Sequence, residues 1–192
     1  MLRKLLLVDC FDSFTYNLMH RIEFVTGILP DVIRVNECTV SVIDDYDGVI
    51  FSPGPGLPSE IVNLLSLVSH ACSSKVVLGV CLGHQAIAQS FGAELYRQEQ
   101  AYHGIARKAI NRDEFGMFEH FKPEFEAGSY HSWSVKESNF PSVLTITSSD
   151  DEHRIISFKH MAKPVWAVQF HPESVLSPDG DMLIKNWIKL LN

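Results

Sequence analysis

Apolar residues in the first half of the chain follow two alternating rhythms. Short runs at residues 4–9, 32–35, 48–51 and 75–80 are rich in Val, Ile and Leu and end in polar turns. Runs of that length without apolar/polar alternation are expected of strands buried on both faces. Between them lie stretches with helical spacing. Phe14, Leu18, Ile22 and Val25 form one stripe, which predicts a helix over residues 14–24. Ile61, Leu64, Leu65 and Val68 predict a second over residues 60–72, and residues 82–91 a third, closed by Gly92. Strands alternating with helices predict a parallel sheet covered on both faces. In such a sheet functional loops gather at the carboxyl ends of the strands. That would bring Asp9–Ser13, Ser52–Gly56 and Cys81 to one edge.

The second half changes character. Residues 106–111, 124–128, 132–137, 143–147 and 154–159 read as shorter strands between polar turns, 165–170 as a further strand, and 182–191 as a terminal amphipathic helix. The expected class is therefore α/β, a doubly wound, mostly parallel sheet with a small antiparallel extension. The 192 residues show no repeat, low-complexity segment or linker, which predicts a single domain over 1–192.

Composition narrows the functions. With 46% hydrophobic and 20% charged residues the chain has an ordinary globular balance. A net charge of −7 argues against nucleic acid or an anionic membrane as partner, since both favour a basic patch. The apolar run at residues 5–8 is cut by Asp9, too short for a signal peptide, and no segment nears the ~18 apolar residues of a membrane span. Cys10, Cys38, Cys72 and Cys81 fit no zinc or disulfide spacing, so free thiols in a cytoplasmic protein are expected.

One of these cysteines is unlike the others. Gly79-Val80-Cys81-Leu82-Gly83 lies between a predicted strand and a predicted helix. That is the pattern of a nucleophile elbow with cysteine in place of serine. Glycines on both sides remove side chains that would clash in the sharp turn. A helix N-terminus favours thiolate over thiol, and the Leu82 N–H points where an oxyanion would form. For Cys10, Cys38 and Cys72 the expected role is a small buried hydrophobe.

A cysteine nucleophile needs a histidine, and the histidine an orienting group. His20, His70, His120, His153 and His160 fall in expected surface helices or turns. His84, three residues after Cys81, either faces the site or packs. His171 ends the apolar run Trp166–Phe170, where sites assemble, and Glu173 follows two residues later. Spacing alone leaves open a strand-end histidine beside a solvated glutamate. Ser52-Pro53-Gly54-Pro55-Gly56 offers a rigid loop with free backbone amides, or a plain turn. Tyr130-His131-Ser132-Trp133 is a weak signal by itself. No metal-ligand spacing and no Walker lysine are present.

Three motifs in order, GVCLGHQ at residues 79–85, SPGPG at 52–56 and QFHPES at 169–174, together resemble the triad (class I) glutamine amidotransferases over nearly the whole chain. The opening DCFDSFTYNL at 9–18 and Tyr130-His131-Ser132 are similar to the component II subunits of anthranilate and aminodeoxychorismate synthases. The resemblance implies a flavodoxin-like fold. It implies Cys81 as nucleophile toward L-glutamine, His171 as acid and base, and Glu173 as its orienting carboxylate. Gly54 and Leu82 would form the oxyanion hole. Gly54, Pro55, Gly56, Gln85, Ser132 and Trp133 would hold the substrate. Ammonia would pass to a chorismate-utilising synthase subunit. The chain itself would carry no cofactor, and Mg2+ would belong to the partner. The sequence departs from the family pattern in a short loop after Gly56, Ile105 in place of lysine, Val35 in place of arginine and Trp133 in place of leucine, all where the pocket rim or partner contact is expected. A lone γ-glutamyl hydrolase and a non-catalytic redox sensor remain as other readings of the elbow cysteine.

Overall fold

The computed structural model describes residues 3–99 and 101–191. Its strands and helices are, in chain order, β1 (Leu5–Asp9), α1 (Thr15–Thr26), β2 (Asp31–Arg34), α2 (Val40–Asp44), β3 (Gly48–Phe51), α3 (Leu64–Ser74), β4 (Val76–Val80), α4 (Leu82–Ser90) and β5 (Leu95–Arg97). There follow β6 (Ile105–Asn111), β7 (Glu124–Ser129), β8 (Trp133–Val135), β9 (Leu144–Asp150), β10 (Ile155–His160), β11 (Val165–Val168) and α5 (Gly180–Lys189). One nine-stranded sheet runs β2-β1-β3-β4-β11-β10-β9-β6-β7. The pairings from β2 through β11 are parallel. Those from β11 to β7 are antiparallel and continue the same sheet. This is the expected α/β class, with helices on both faces.

The unbroken apolar strands are explained by their two buried faces. Leu5 and Leu7 belong to the core under α1 and α5, with Leu18, Ile22, Leu183 and Trp187. Leu6 and Val8 belong to the opposite core, with Leu64, Leu67 and Val68 of α3 and Ala86 and Ile87 of α4. Period-2 geometry sends neighbours to opposite sides, so a strand between two helical layers has no polar face to show.

Several sequence boundaries shift. The helix expected over residues 60–72 is two pieces: a 3-10 turn at Pro58–Glu60, and α3 starting at Leu64. Asn63 between them lies at φ +66°, a left-handed conformation that asparagine tolerates and a continuous helix forbids. The strand expected over 132–137 is shorter, Trp133–Val135, and pairs with β5 in a separate two-stranded sheet. Neither β5 nor α2 is predicted by the periodicity. Each is at most five residues, too short to show a pattern. α2 is set instead by its cap, the Thr39 hydroxyl accepting from the Val42 amide at 3.3 Å.

Candidate active site

The carboxyl ends of β1, β3, β4 and β11 meet at one edge, and the chemistry collects there. β4 ends at Cys81, whose backbone stands at φ +54°, ψ −101° before α4 begins. A non-glycine residue in that region is strained and persists only where its surroundings enforce it. The enforcement is close packing. A Cβ on Gly79 would stand 2.5 Å from the Gly83 carbonyl oxygen, and one on Gly83 2.3 Å from that of Phe51. The two glycines thus let α4 press onto β4 and β3. The Cys81 amide donates to the Val168 carbonyl at 2.9 Å, tying the elbow to β11.

Beyond β11 the chain continues through Gln169 and Phe170 to His171, whose amide donates to Gly128 O at 3.0 Å. His171 Nδ1 is 2.7 Å from Glu173 Oε1, and the Glu173 side chain is fully buried. Phe14 and Tyr130 hold the imidazole from other directions, with ring centroids 5.2 and 4.8 Å away. The Tyr130 hydroxyl pairs with the Ser174 hydroxyl at 2.9 Å, so the turn after His171 is fixed from both ends. His171 Nε2 is buried and, among the described residues, no nitrogen or oxygen bonds it, which leaves it to the Cys81 sulfur. Burial works against a charge on this ring. The Cys81 sulfur, followed by Glu173, outweighs it and raises the pKa to about 10. Both neighbours thus favour the protonated form of the ring against the burial that opposes it.

A cavity of about 290 Å³ opens on Cys81. Each residue expected to bind substrate lines it: Gly54, Pro55, Gly56, Gln85, Ser132 and Trp133, together with Leu82. The Ser52–Gly56 loop is seated by the Ser52 hydroxyl, which accepts from the Cys10 amide at 2.8 Å. A Cβ on Gly54 would stand 2.7 Å from the Cys10 carbonyl oxygen as well as against Leu82 Cδ2, so glycine lets this loop lie close to both β1's end and the start of α4. The Leu82 amide lies in the first turn of that helix, where N–H groups lack intrahelical acceptors. Gln85 Nε2 donates to the Trp133 carbonyl at 3.0 Å and to Gln169 Oε1 at 3.2 Å.

The sequence reading overlooked part of this wall. Asp12, His103, Tyr130 and His131 also line the cavity. Gln169, fully buried, points its Nε2 at Cys81 Sγ, 3.7 Å away. Its signal was present: a polar residue closing an apolar run, two positions before His171. His84 packs rather than facing the site. Its ring lies 4.7 Å from that of Phe158, and burial lowers its pKa to about 3. His20, His70, His120 and His153 lie at or near the surface as expected, whereas His160 closes strand β10 rather than a helix or turn. Cys10, Cys38 and Cys72 are buried free thiols, their pKa values raised by burial.

A thiol on a strained turn, an imidazole held by a buried carboxylate, and a small cavity lined by the 54–56 loop and the start of α4 are parts suited to acyl transfer. Among the described residues no three His, Cys, Asp or Glu side chains gather as a metal-ligand set, and no helix is long and apolar enough to cross a membrane.

Comparison with known proteins places this arrangement. The chain is 35% identical over 189 residues to the aminodeoxychorismate/anthranilate synthase component 2 of Bacillus subtilis, covering 96% of this chain and 95% of that protein. It is 37% identical over 187 residues to an aminodeoxychorismate synthase of Streptomyces griseus, covering 96% of this chain and 25% of that longer protein. A glutamine amidotransferase of Thermotoga maritima has the same fold, with a TM-score of 0.81 at 15% identity over 100% of this chain and 96% of its own. With residues 6–190 matched by the family described as glutamine amidotransferase class-I, the chain belongs to that family.

Proposed function

We propose that this chain is the glutaminase component of a chorismate-aminating synthase, hydrolysing L-glutamine and passing ammonia to a synthase subunit. The observation that carries the chemistry is the Cys81 elbow, open to one small cavity and coupled to the buried His171–Glu173 pair.

The Cys81 thiolate attacks the side-chain amide carbon of glutamine. The developing oxyanion is met by the amides of Gly54 and Leu82. As the C–N bond breaks, His171 gives its Nε2 proton to the leaving nitrogen, which departs as ammonia, and a γ-glutamyl thioester remains. Neutral His171 then takes a proton from water. The water oxygen attacks the thioester, glutamate leaves, and the thiolate is restored. Glu173 holds the Nδ1 proton throughout, which keeps Nε2 as the reactive nitrogen. Gly56, Pro55, Gln85 and the Ser132–Trp133 backbone hold the amino-acid end of glutamine. The cycle needs no cofactor in this chain, and any Mg2+ belongs to the synthase. The partner follows from the names of the relatives, one of which carries a matching stretch within a larger aminodeoxychorismate synthase. Free thiols suit a cytoplasmic setting.

The test is intact-protein mass after exposure to a diazo-ketone analogue of glutamine. One adduct that excess glutamine prevents, and that is absent in Cys81→Ser, is expected on the chain alone or with a synthase subunit bound. An adduct indifferent to glutamine in both settings would leave a reactive thiol without a glutamine pocket.

A further inference from the structure

Behind the wall of the catalytic cavity stands a second structure that the chemistry does not use. Tyr102 is contacted by two guanidinium groups: Arg107 Cζ is 4.4 Å from its ring centroid and Arg154 Cζ 5.1 Å. Arg154 Nη1 also donates to the Tyr102 hydroxyl at 2.9 Å. Both arginine side chains are only 11% exposed. They are fixed in turn by the buried carboxylate of Asp150, which accepts from Arg154 Nε at 2.7 Å and lies 3.4 Å from Arg107 Nη2. Asp151 and Glu152 reach Arg107 Nη2 at 2.9 and 3.0 Å. The two guanidinium groups are thus already taken up by three carboxylates, and the neighbouring cavity of about 400 Å³, lined by Glu99, Glu152 and Arg154 among others, offers no spare cation to a ligand. The cluster is better suited to hold something than to bind something.

What it holds is the backbone at Tyr102. Hydrogen bonds tie the chain here to the 129–132 stretch: Gln98 N to Ser132 O at 2.8 Å, Tyr102 N to His131 O at 3.0 Å, and Gly104 N to Ser129 O at 3.1 Å. The other side of that stretch is the cavity wall, with Tyr130, His131, Ser132 and Trp133 all lining it. His103, next to the clamped Tyr102, lines it as well. The His131 imidazole adds a cross-tie, its Nδ1 2.9 Å from the Trp133 carbonyl that Gln85 also uses. Burial lowers the His131 pKa to about 4, so the ring stays neutral and can hold this contact through the physiological range.

We propose that Tyr102, held by Arg107 and Arg154, is a positioning residue for the amino-acid end of the substrate. It touches neither the thiol nor the imidazole. It sets where the Ser132–Trp133 backbone stands, and so acts on substrate binding rather than on the reacting bond. This rests on the glutaminase reading above.

The test separates binding from reactivity. Inactivation by the diazo-ketone analogue of glutamine is followed to saturation, which gives a half-saturating concentration and a limiting rate. Alkylation by iodoacetamide, which has no amino-acid end, reports Cys81 reactivity alone. In Tyr102→Ala the half-saturating concentration is expected to rise about tenfold, a change of about 1.4 kcal/mol in binding. The limiting rate and the iodoacetamide rate should stay within about twofold, as expected when only uniform binding is lost. Tyr102→Phe keeps the ring between the arginines but loses the Arg154 hydrogen bond, and should shift half-saturation in the same direction by less than Tyr102→Ala. Arg107→Gln should shift half-saturation in the same direction, and it carries the test if Tyr102→Ala does not fold. An unchanged half-saturation in these variants, or an equal fall in iodoacetamide rate, would overturn the proposal. Failure of the glutaminase reading would look different: glutamine would not protect even the wild type.

Discussion

Glu173 reaches the imidazole of His171 with Oε1, while Oε2, also buried, has no hydrogen-bond partner among the described residues. Its carboxylate therefore works on a single proton. Glu173→Gln keeps the size and removes the charge. The amide can turn its NH2 toward Nδ1, which favours the wrong tautomer, and steady-state glutamine turnover should fall on the order of 10²-fold with little change in KM. The same variant has a signature in stability. The folded pKa of His171 is raised from 6.5 to about 10, so this contribution is fully present below about pH 6.5 and fades as pH climbs through 10. Removing Glu173 takes away one of the raising influences. The pH-dependent part of the stability difference from wild type, followed by thermal melts, should be largest near pH 6 and shrink toward pH 10. At this scale the site was legible where residue type and spacing agree, as in the glycines around Cys81 and the His171–Glu173 pair. Phe14 and Tyr130 against the imidazole were not legible, because an aromatic residue in a sequence does not say which ring it will meet.

At the contact between α4 and the sheet there is no room for a side chain. Gly83 stands where a methyl group would lie 2.3 Å from the Phe51 carbonyl oxygen and 2.9 Å from the Phe51 Cβ. Backbone cannot yield as the tip of a side chain can. Gly83→Ala must push α4 away from β3 and carry Cys81 with it. Overpacking of this kind costs about 1–3 kcal/mol, which lowers the melting temperature by roughly 2–12 °C in a chain of this size. The expected result in differential scanning calorimetry and activity assay is a loss of turnover larger than the loss of stability explains, since a displaced nucleophile loses far more rate than a domain loses free energy. Wild-type turnover in Gly83→Ala would contradict the elbow as described. The sheet itself was readable, because β1, β3 and β4 are buried on both faces and appear as unbroken apolar runs. β5 was not: Tyr96 and Arg97 are exposed, and its pairing with β8 is decided by distant chain. The break before α3 turns on one left-handed asparagine that helical periodicity does not register.

The whole molecule presents its catalytic edge with apolar residues on either side. Phe11 follows β1 at φ +67° and is 49% exposed, Tyr16 on α1 is 55% exposed, and Val175, two residues after Glu173, is 95% exposed. These side chains come from the same segments that hold the site. Asp9 Oδ1 accepts from both the Phe11 amide and the Thr15 hydroxyl, and Phe14 from that turn contacts His171. A protein covering this edge therefore has two direct mechanical routes to the imidazole, through the 9–15 turn and through the 173–177 turn. If the chain feeds a synthase subunit, hydrolysis without that subunit wastes glutamine, and contact on these turns is a means to prevent it. Coupling between two sites is typically worth on the order of 5–150-fold. Glutamate release measured with and without a chorismate-using synthase subunit should differ by at least about tenfold in favour of the pair, within the same range. Equal turnover in the two conditions, with a complex demonstrated by sedimentation, would show that the covered edge does not govern the site. It would also turn the assignment toward a hydrolase that works alone.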